Sequence, residues 1–76
     1  MRLEDVLSEV LGDQPEAFTD DYSRETSSNW TSLHHVELVI AVEEAFDVRF
    51  SNAEMTNMRS VRDIREALER NGVTVP

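Results

Sequence analysis

Apolar residues recur at helical spacing in three stretches of this chain, and a shorter fourth stretch lies between the last two. Leu3, Val6, Leu7, Val10 and Leu11 follow the i, i+3, i+4, i+7, i+8 pattern, and Gly12 stands where a left-handed residue ends a helix. The pattern predicts a first helix near residues 2–11. Its stripe is purely apolar and suits a core; a membrane-surface helix would want basic flanks. From Trp30 to Asp47 no Gly or Pro intervenes, and Leu38, Val42 and Phe46 recur four apart with Val39 beside them, which predicts a second helix near 32–46. Its opposite face carries Leu33, Glu37, Ile40, Glu44 and Asp47. Two bulky apolar residues among three carboxylates make a face shaped for docking, since a merely solvated face would be more uniformly polar.

Ser51-Asn52-Ala53-Glu54 reads as a capping box, in which hydroxyl and carboxylate each satisfy one of the other's orphan backbone N–H groups. A short third helix near 52–58 follows, with Met55 and Met58 as gap-filling residues. Ser60 with Asp63 gives a weaker second box, Val61, Ile64 and Leu68 give an apolar stripe, and Gly72 closes a fourth helix near 60–71. The tail from Val73 to Pro76 is expected to fray. Between Asp13 and Trp30 no period persists, and Pro15, the Asp20-Asp21 pair and the Ser/Thr/Asn cluster at 26–29 are loop signals. Phe18, Tyr22 and Trp30 are the anchors available to pack that loop down, with a partner contact as the other use of such aromatics. The expected fold is an all-α four-helix bundle with a long first loop and a short third helix, its core holding Leu7, Leu38, Val42, Phe46, Ile64 and Leu68.

Composition narrows the function. Seventy-six residues make one domain, 1–76, and 39% hydrophobic against 30% charged residues is globular rather than disordered. Sixteen acids against seven bases, all of them Arg, leave a net charge of −9, which argues against phosphate-backbone binding to nucleic acid and for steered encounters with basic surfaces. No run approaches the roughly 18 apolar residues that span a membrane, and Met1-Arg2 passes directly into Glu4 and Asp5 without a signal-peptide pattern. The absence of Cys removes disulfides, thiolate metal sites and cysteine nucleophiles, in keeping with a cytoplasmic location. No Ser/His/Asp constellation, Gly-rich phosphate loop or metal spacing argues for catalysis. His34 and His35 point about 100° apart on a helix and do not make a metal pair; His34 is expected exposed, His35 turned toward the core.

Ser32, taken alone, could be an ordinary helix cap. The arrangement around it, Ser-Leu-x-x-Val-Glu-Leu-Val-x-Ala-x-Glu-Glu-x-Phe-Asp, resembles the acyl carrier proteins. The Phe50–Met58 segment and the Ser-Val pair at 60 and 61 also fall at family spacing without a gap, while the match upstream of Trp30 is weaker. The resemblance implies that Ser32 bears a 4′-phosphopantetheine arm, installed by a separate phosphopantetheinyl transferase from coenzyme A with magnesium. It implies that the arm's thiol carries acyl or aminoacyl groups between enzymes of fatty-acid, polyketide or other specialised biosynthesis. It also implies that Glu37, Glu43, Glu44 and Asp47 form the acidic helix face met by basic patches on those partners, with the exposed Leu33 and Ile40 completing the docking face, and that the long first loop crosses the bundle end. Such a carrier would be a stand-alone monomer and no enzyme itself. One departure stands out: the family usually has Asp before the serine, and this chain has Thr31. Two alternatives follow from it and from the charge: a carrier-like acidic interaction module that is never modified, and an acidic regulator that mimics nucleic acid.

Overall fold

The computed structural model describes residues 2–75, and among these the ordered elements are α1 (Leu3–Leu11), α2 (Ser32–Phe46), α3 (Asn52–Asn57) and α4 (Val61–Arg70), with no strand. Each begins and ends for a local reason. Glu4 and Asp5 place negative charge at the positive end of α1. Gly12, at φ 87°, ends it by returning its N–H to the Ser8 carbonyl at 2.9 Å. Both halves of the Ser51–Glu54 capping box form. At α4 only half of the expected box does: the Ser60 hydroxyl accepts the Asp63 N–H, but the Asp63 carboxylate turns to the Arg59 N–H at 3.0 Å instead. The observed helices lie within a residue or so of the expected ones, the differences being the capping residues.

The first loop is not featureless. A single 3₁₀ turn, Pro15–Ala17, delivers Phe18 to the core, and Tyr22 and Trp30 continue a chain of rings with centroid separations of 4.7 Å (Phe18–Tyr22) and 6.3 Å (Tyr22–Trp30). Phe18 and Trp30 are buried and Tyr22 packs against the core, so all three serve as anchors. One isolated antiparallel pairing, Ser23 with Ser60, ties the loop to the α3–α4 junction: the Arg24 N–H donates to the Arg59 carbonyl and the Val61 N–H to the Tyr22 carbonyl, both at 2.9 Å. Charge completes the attachment, since Arg65 reaches Glu4 and Asp20, each at 3.3 Å, and Arg62 approaches Asp20 and Asp21 at 4.0 and 3.8 Å.

Leu7, Leu38, Val42, Ile64 and Leu68 are fully buried in one core, as expected, joined by Leu3, Met58, Val61 and Ala67. Two expectations are corrected. Phe46 is only half-buried and packs against the core's rim, because it is the last residue of α2 and the bundle ends there. The tail does not fray: Val73 packs against the core and Val75 is buried, while Pro76 lies outside the described residues. The reason is the turn after α4. Gly72, at φ 85°, donates to Glu69 at 3.0 Å and Val73 donates back to Leu68 at 2.9 Å, a left-handed turn that folds the following apolar residue onto the helix it has just left.

Glu54 ties the start of α3 to the end of α4, and the Ser51 backbone N–H, aided by the Asn71 amide and the Arg70 guanidinium, holds its carboxyl below the ordinary glutamate range. A lowered folded-state value stabilises the fold above the ordinary value of about 4.3 and is lost as pH falls through and below it. Glu54→Gln keeps a capping side chain that does not titrate. Its denaturant midpoint should lie below the parent's at pH 7, and the gap should shrink by pH 3. A gap that stays constant over that range would contradict this role for Glu54.

Candidate functional site

The N-terminus of α2 is built so that Ser32 has nothing structural to do. Thr31, in extended conformation, caps the helix by accepting the His34 N–H on Oγ1 at 3.1 Å. Ser32 therefore occupies the first helical position with its side chain exposed, and no described residue engages its hydroxyl. The platform beneath is rigid. The Trp30 indole N–H donates to His35 Nδ1 at 3.0 Å, which requires the imidazole to be neutral with its proton on Nε2, and that N–H in turn donates to the Met55 carbonyl at 2.8 Å. Trp30 and His35 are both buried and their rings stack at 6.1 Å. His35 is thus the core-side hydrogen-bonding residue expected. His34 differs from expectation: it is half-buried, with Nδ1 against the Asn29 carbonyl, closing the loop onto the first turn of α2.

The same helix carries the proposed docking face. Leu33, Glu37, Ile40, Glu44 and Asp47 fall within an arc of about 80° and extend along roughly 22 Å of helix from Ser32, and all five are exposed. Leu33 is 70% and Ile40 49% exposed, and Val36, which the sequence reading passed over, joins them at 50%. Its signal was available in the 33, 36, 40 spacing. Glu43 lies to the side of this arc, half-buried, and its carboxylate accepts the Phe50 N–H at 2.8 Å. Glu43, Glu44 and Asp47 nevertheless share a shallow groove with Ile40, Val48 and Arg49.

The exposed carboxylates of α2 are left without cationic partners among the described residues, as are several acids elsewhere on the surface. Glu4, Asp20, Asp21, Glu25 and Glu54 each meet an arginine within ion-pair distance. Among the described residues, Glu37, Glu44 and Asp47 meet none. Moreover α2 has no acid in its first turn and no base in its last, so Glu43, Glu44 and Asp47 sit against the negative end of the helix dipole. Asp47 also adopts a left-handed backbone, φ 54°, an uncommon conformation outside glycine. A helix arranged for its own stability would reverse this pattern.

On the other side of Ser32 lies a second groove, of about 350 Å³, lined by Arg24, Glu25, Trp30, Thr31, Ser32 and Arg59. No group of His and acidic residues among the described residues could hold a metal ion. The exposed hydroxyl, the open grooves and the unpaired acidic stripe suit a covalent handle and a docking surface.

No family model matches the chain. Over 71 residues it is 34% identical to an acyl carrier protein of Syntrophobacter fumaroxidans, a match covering 93% of this chain and 88% of that relative. It is 31% identical over 71 residues to an acyl carrier protein of Bdellovibrio bacteriovorus, covering 93% and 91%, and 33% identical over 72 residues to one of Phaeodactylum tricornutum, covering 92% of each. Among solved structures, the solution structure of the holo acyl carrier protein from Geobacter metallireducens shares the fold with a TM-score of 0.81, at 22% identity, over 91% of this chain and 79% of that one.

Proposed function

Since the chain belongs to the acyl carrier protein family, we propose that Ser32 is its attachment residue and the exposed stripe of α2 its docking face. As a member of that family it is a carrier and not an enzyme, its prosthetic group is 4′-phosphopantetheine, and its partners are a phosphopantetheinyl transferase and biosynthetic enzymes. When bound, the group supplies a terminal thiol that holds acyl cargo as a thioester. The observation that carries the assignment to Ser32 is the division of labour at the helix start. Thr31 does the capping, so the neighbouring hydroxyl stays exposed and free, held at a fixed position by the Trp30–His35–Met55 chain of hydrogen bonds. A monomeric, cytoplasmic carrier is the form this reading takes; no helix among the described residues is long and apolar enough to cross a membrane.

Leu33, Val36 and Ile40 supply the apolar centre for a partner, and Glu37, Glu44 and Asp47, with the outer part of Glu43, supply a carboxylate rim for basic groups. Rim charges act mainly on association rate and are screened by salt. Reversing Glu37 and Glu44 to Lys should therefore slow loading and transfer to partner enzymes by roughly tenfold or more at low salt, with the thermal midpoint unchanged or slightly raised, because positive charge late in α2 suits its dipole. Loading rates equal to the parent's, with the same salt dependence, would reduce the acidic face to solvation.

A further inference from the structure

The groove beside Ser32 contains cations that a chain of net charge −9 has few of to spare. Arg24 and Arg59 are 35 positions apart in sequence and are brought side by side by the isolated Ser23–Ser60 pairing, in which the backbone N–H of the one donates to the carbonyl of the other at 2.9 Å. Their environments differ. Arg59 is engaged by Glu25, whose Oε1 accepts from Nε at 3.0 Å and from the terminal nitrogen at 2.7 Å. That contact holds the Glu25 carboxyl below the ordinary range. Arg24 is half-buried as a residue, and its guanidinium has no hydrogen-bond or ion-pair partner among the described residues, although acids outnumber bases more than twofold. The groove's walls come from the first loop and the α3–α4 junction, and neither Leu33, Val36 nor Ile40 contributes to them.

We propose that Arg24, assisted by Arg59, is a seat for the phosphodiester that joins the arm to Ser32, fixing the root of the arm on the loop side of the helix. This rests on the reading of Ser32 as the attachment residue. The chemistry matches in charge and in shape. A phosphodiester attached to Ser32 Oγ carries one negative charge on two non-bridging oxygens, and Ser32 lines the same groove as Arg24 and Arg59. A guanidinium presents paired N–H donors to such oxygens. One of the two positive charges is already neutralised by Glu25, so the groove holds a single net positive charge for a single negative one. With the arm's root held there, the apolar centre of the docking face stays uncovered for partners, and the groove opposes the repulsion that a further negative charge meets on an acidic carrier. Arg24 is a positioning residue: it leaves the hydroxyl's reactivity to the transferase and acts on where the installed group points.

The test compares apo and loaded forms of the parent, Arg24→Gln, Arg24→Lys and Arg59→Gln, after coenzyme A and a broad-specificity transferase have been used and intact mass and peptide fragmentation have shown where the added mass lies. The readouts are the arginine side-chain Nε–H resonances, the phosphorus resonance, and the relaxation of the arm's geminal methyl groups. Loading the parent should shift the Arg24 Nε–H signal, and the methyl groups should be partly ordered. Arg24→Gln should load to completion and keep the parent's melting temperature, yet lose the phosphorus shift and the methyl ordering. Arg24→Lys should restore part of both, Arg59→Gln should weaken both, and 0.5 M salt should move the parent's spectra toward those of Arg24→Gln. An Arg24 signal unmoved by loading, or an arm equally mobile in parent and Arg24→Gln, overturns the seat while leaving Ser32 in place. Added mass on another residue overturns the assignment of Ser32 and the seat with it.

Discussion

Leu38→Ala should cost about 3 to 5 kcal/mol, a large share of the roughly 4 to 11 kcal/mol expected for a domain of this size, and should lower the unfolding midpoint steeply. Leu38 is 0% exposed and sits on the inner face of α2, in one core with Leu7, Val42, Ile64 and Leu68. Truncation there removes transfer free energy and leaves a cavity that a tightly tied loop cannot collapse into. Phe46→Ala should cost clearly less, although phenylalanine is the larger residue, because its ring is only half-buried at the rim. Urea unfolding followed by far-ultraviolet circular dichroism checks both, with the midpoint as readout. A Phe46→Ala midpoint lower than that of Leu38→Ala would mean that α2 presents a different face to the core.

Thr31→Asp should load with a generic transferase roughly ten- to a hundredfold faster than the parent, the range expected if a charge-assisted contact worth on the order of 1.5 to 3 kcal/mol acts in the transition state. Thr31 already makes the cap, and aspartate caps at least as well, so the fold is unaffected by the exchange. What threonine lacks is a carboxylate next to the accepting hydroxyl, where the family usually places one. Parent, Thr31→Asp and Ser32→Ala are loaded side by side and followed by intact mass against time. The parent should load slowly but fully and Ser32→Ala not at all. Equal rates for parent and Thr31→Asp would remove position 31 from recognition and leave the cap as its whole role.

Much of this architecture was legible because it is local. The stripes of α1, α2 and α4 follow from spacing alone, and the Ser51–Glu54 box and the glycines at 12 and 72 mark helix ends by chemistry confined to a few residues. The exposed Leu33 and Ile40 could be read as a docking face because they break the polar pattern expected of a solvated helix surface. What escaped was tertiary. Phe46 lies on the correct stripe, and only the end of the bundle decides that it is half-covered. Val75 is buried because Gly72 turns the chain back, which spacing does not encode. Glu43 looks like Glu44 in sequence, yet its place at the edge of the arc commits one oxygen to the Phe50 N–H. Arg24 and Arg59 became neighbours through one backbone pairing between a loop and a helix junction, which leaves no periodic trace in the chain.

Fragmentation of the loaded protein tests directly whether Ser32 is the attachment residue. The full chain is incubated with coenzyme A, magnesium and a broad-specificity phosphopantetheinyl transferase, digested, and the peptide containing residues 25–49 sequenced by mass spectrometry under conditions that keep the phosphodiester intact. The serine and threonine candidates in that peptide are Thr26, Ser27, Ser28, Thr31 and Ser32. One added phosphopantetheine, borne by Ser32 alone, is the predicted result. An arm on Thr31 or any other hydroxyl, or a chain that takes up none after prolonged incubation, would contradict it.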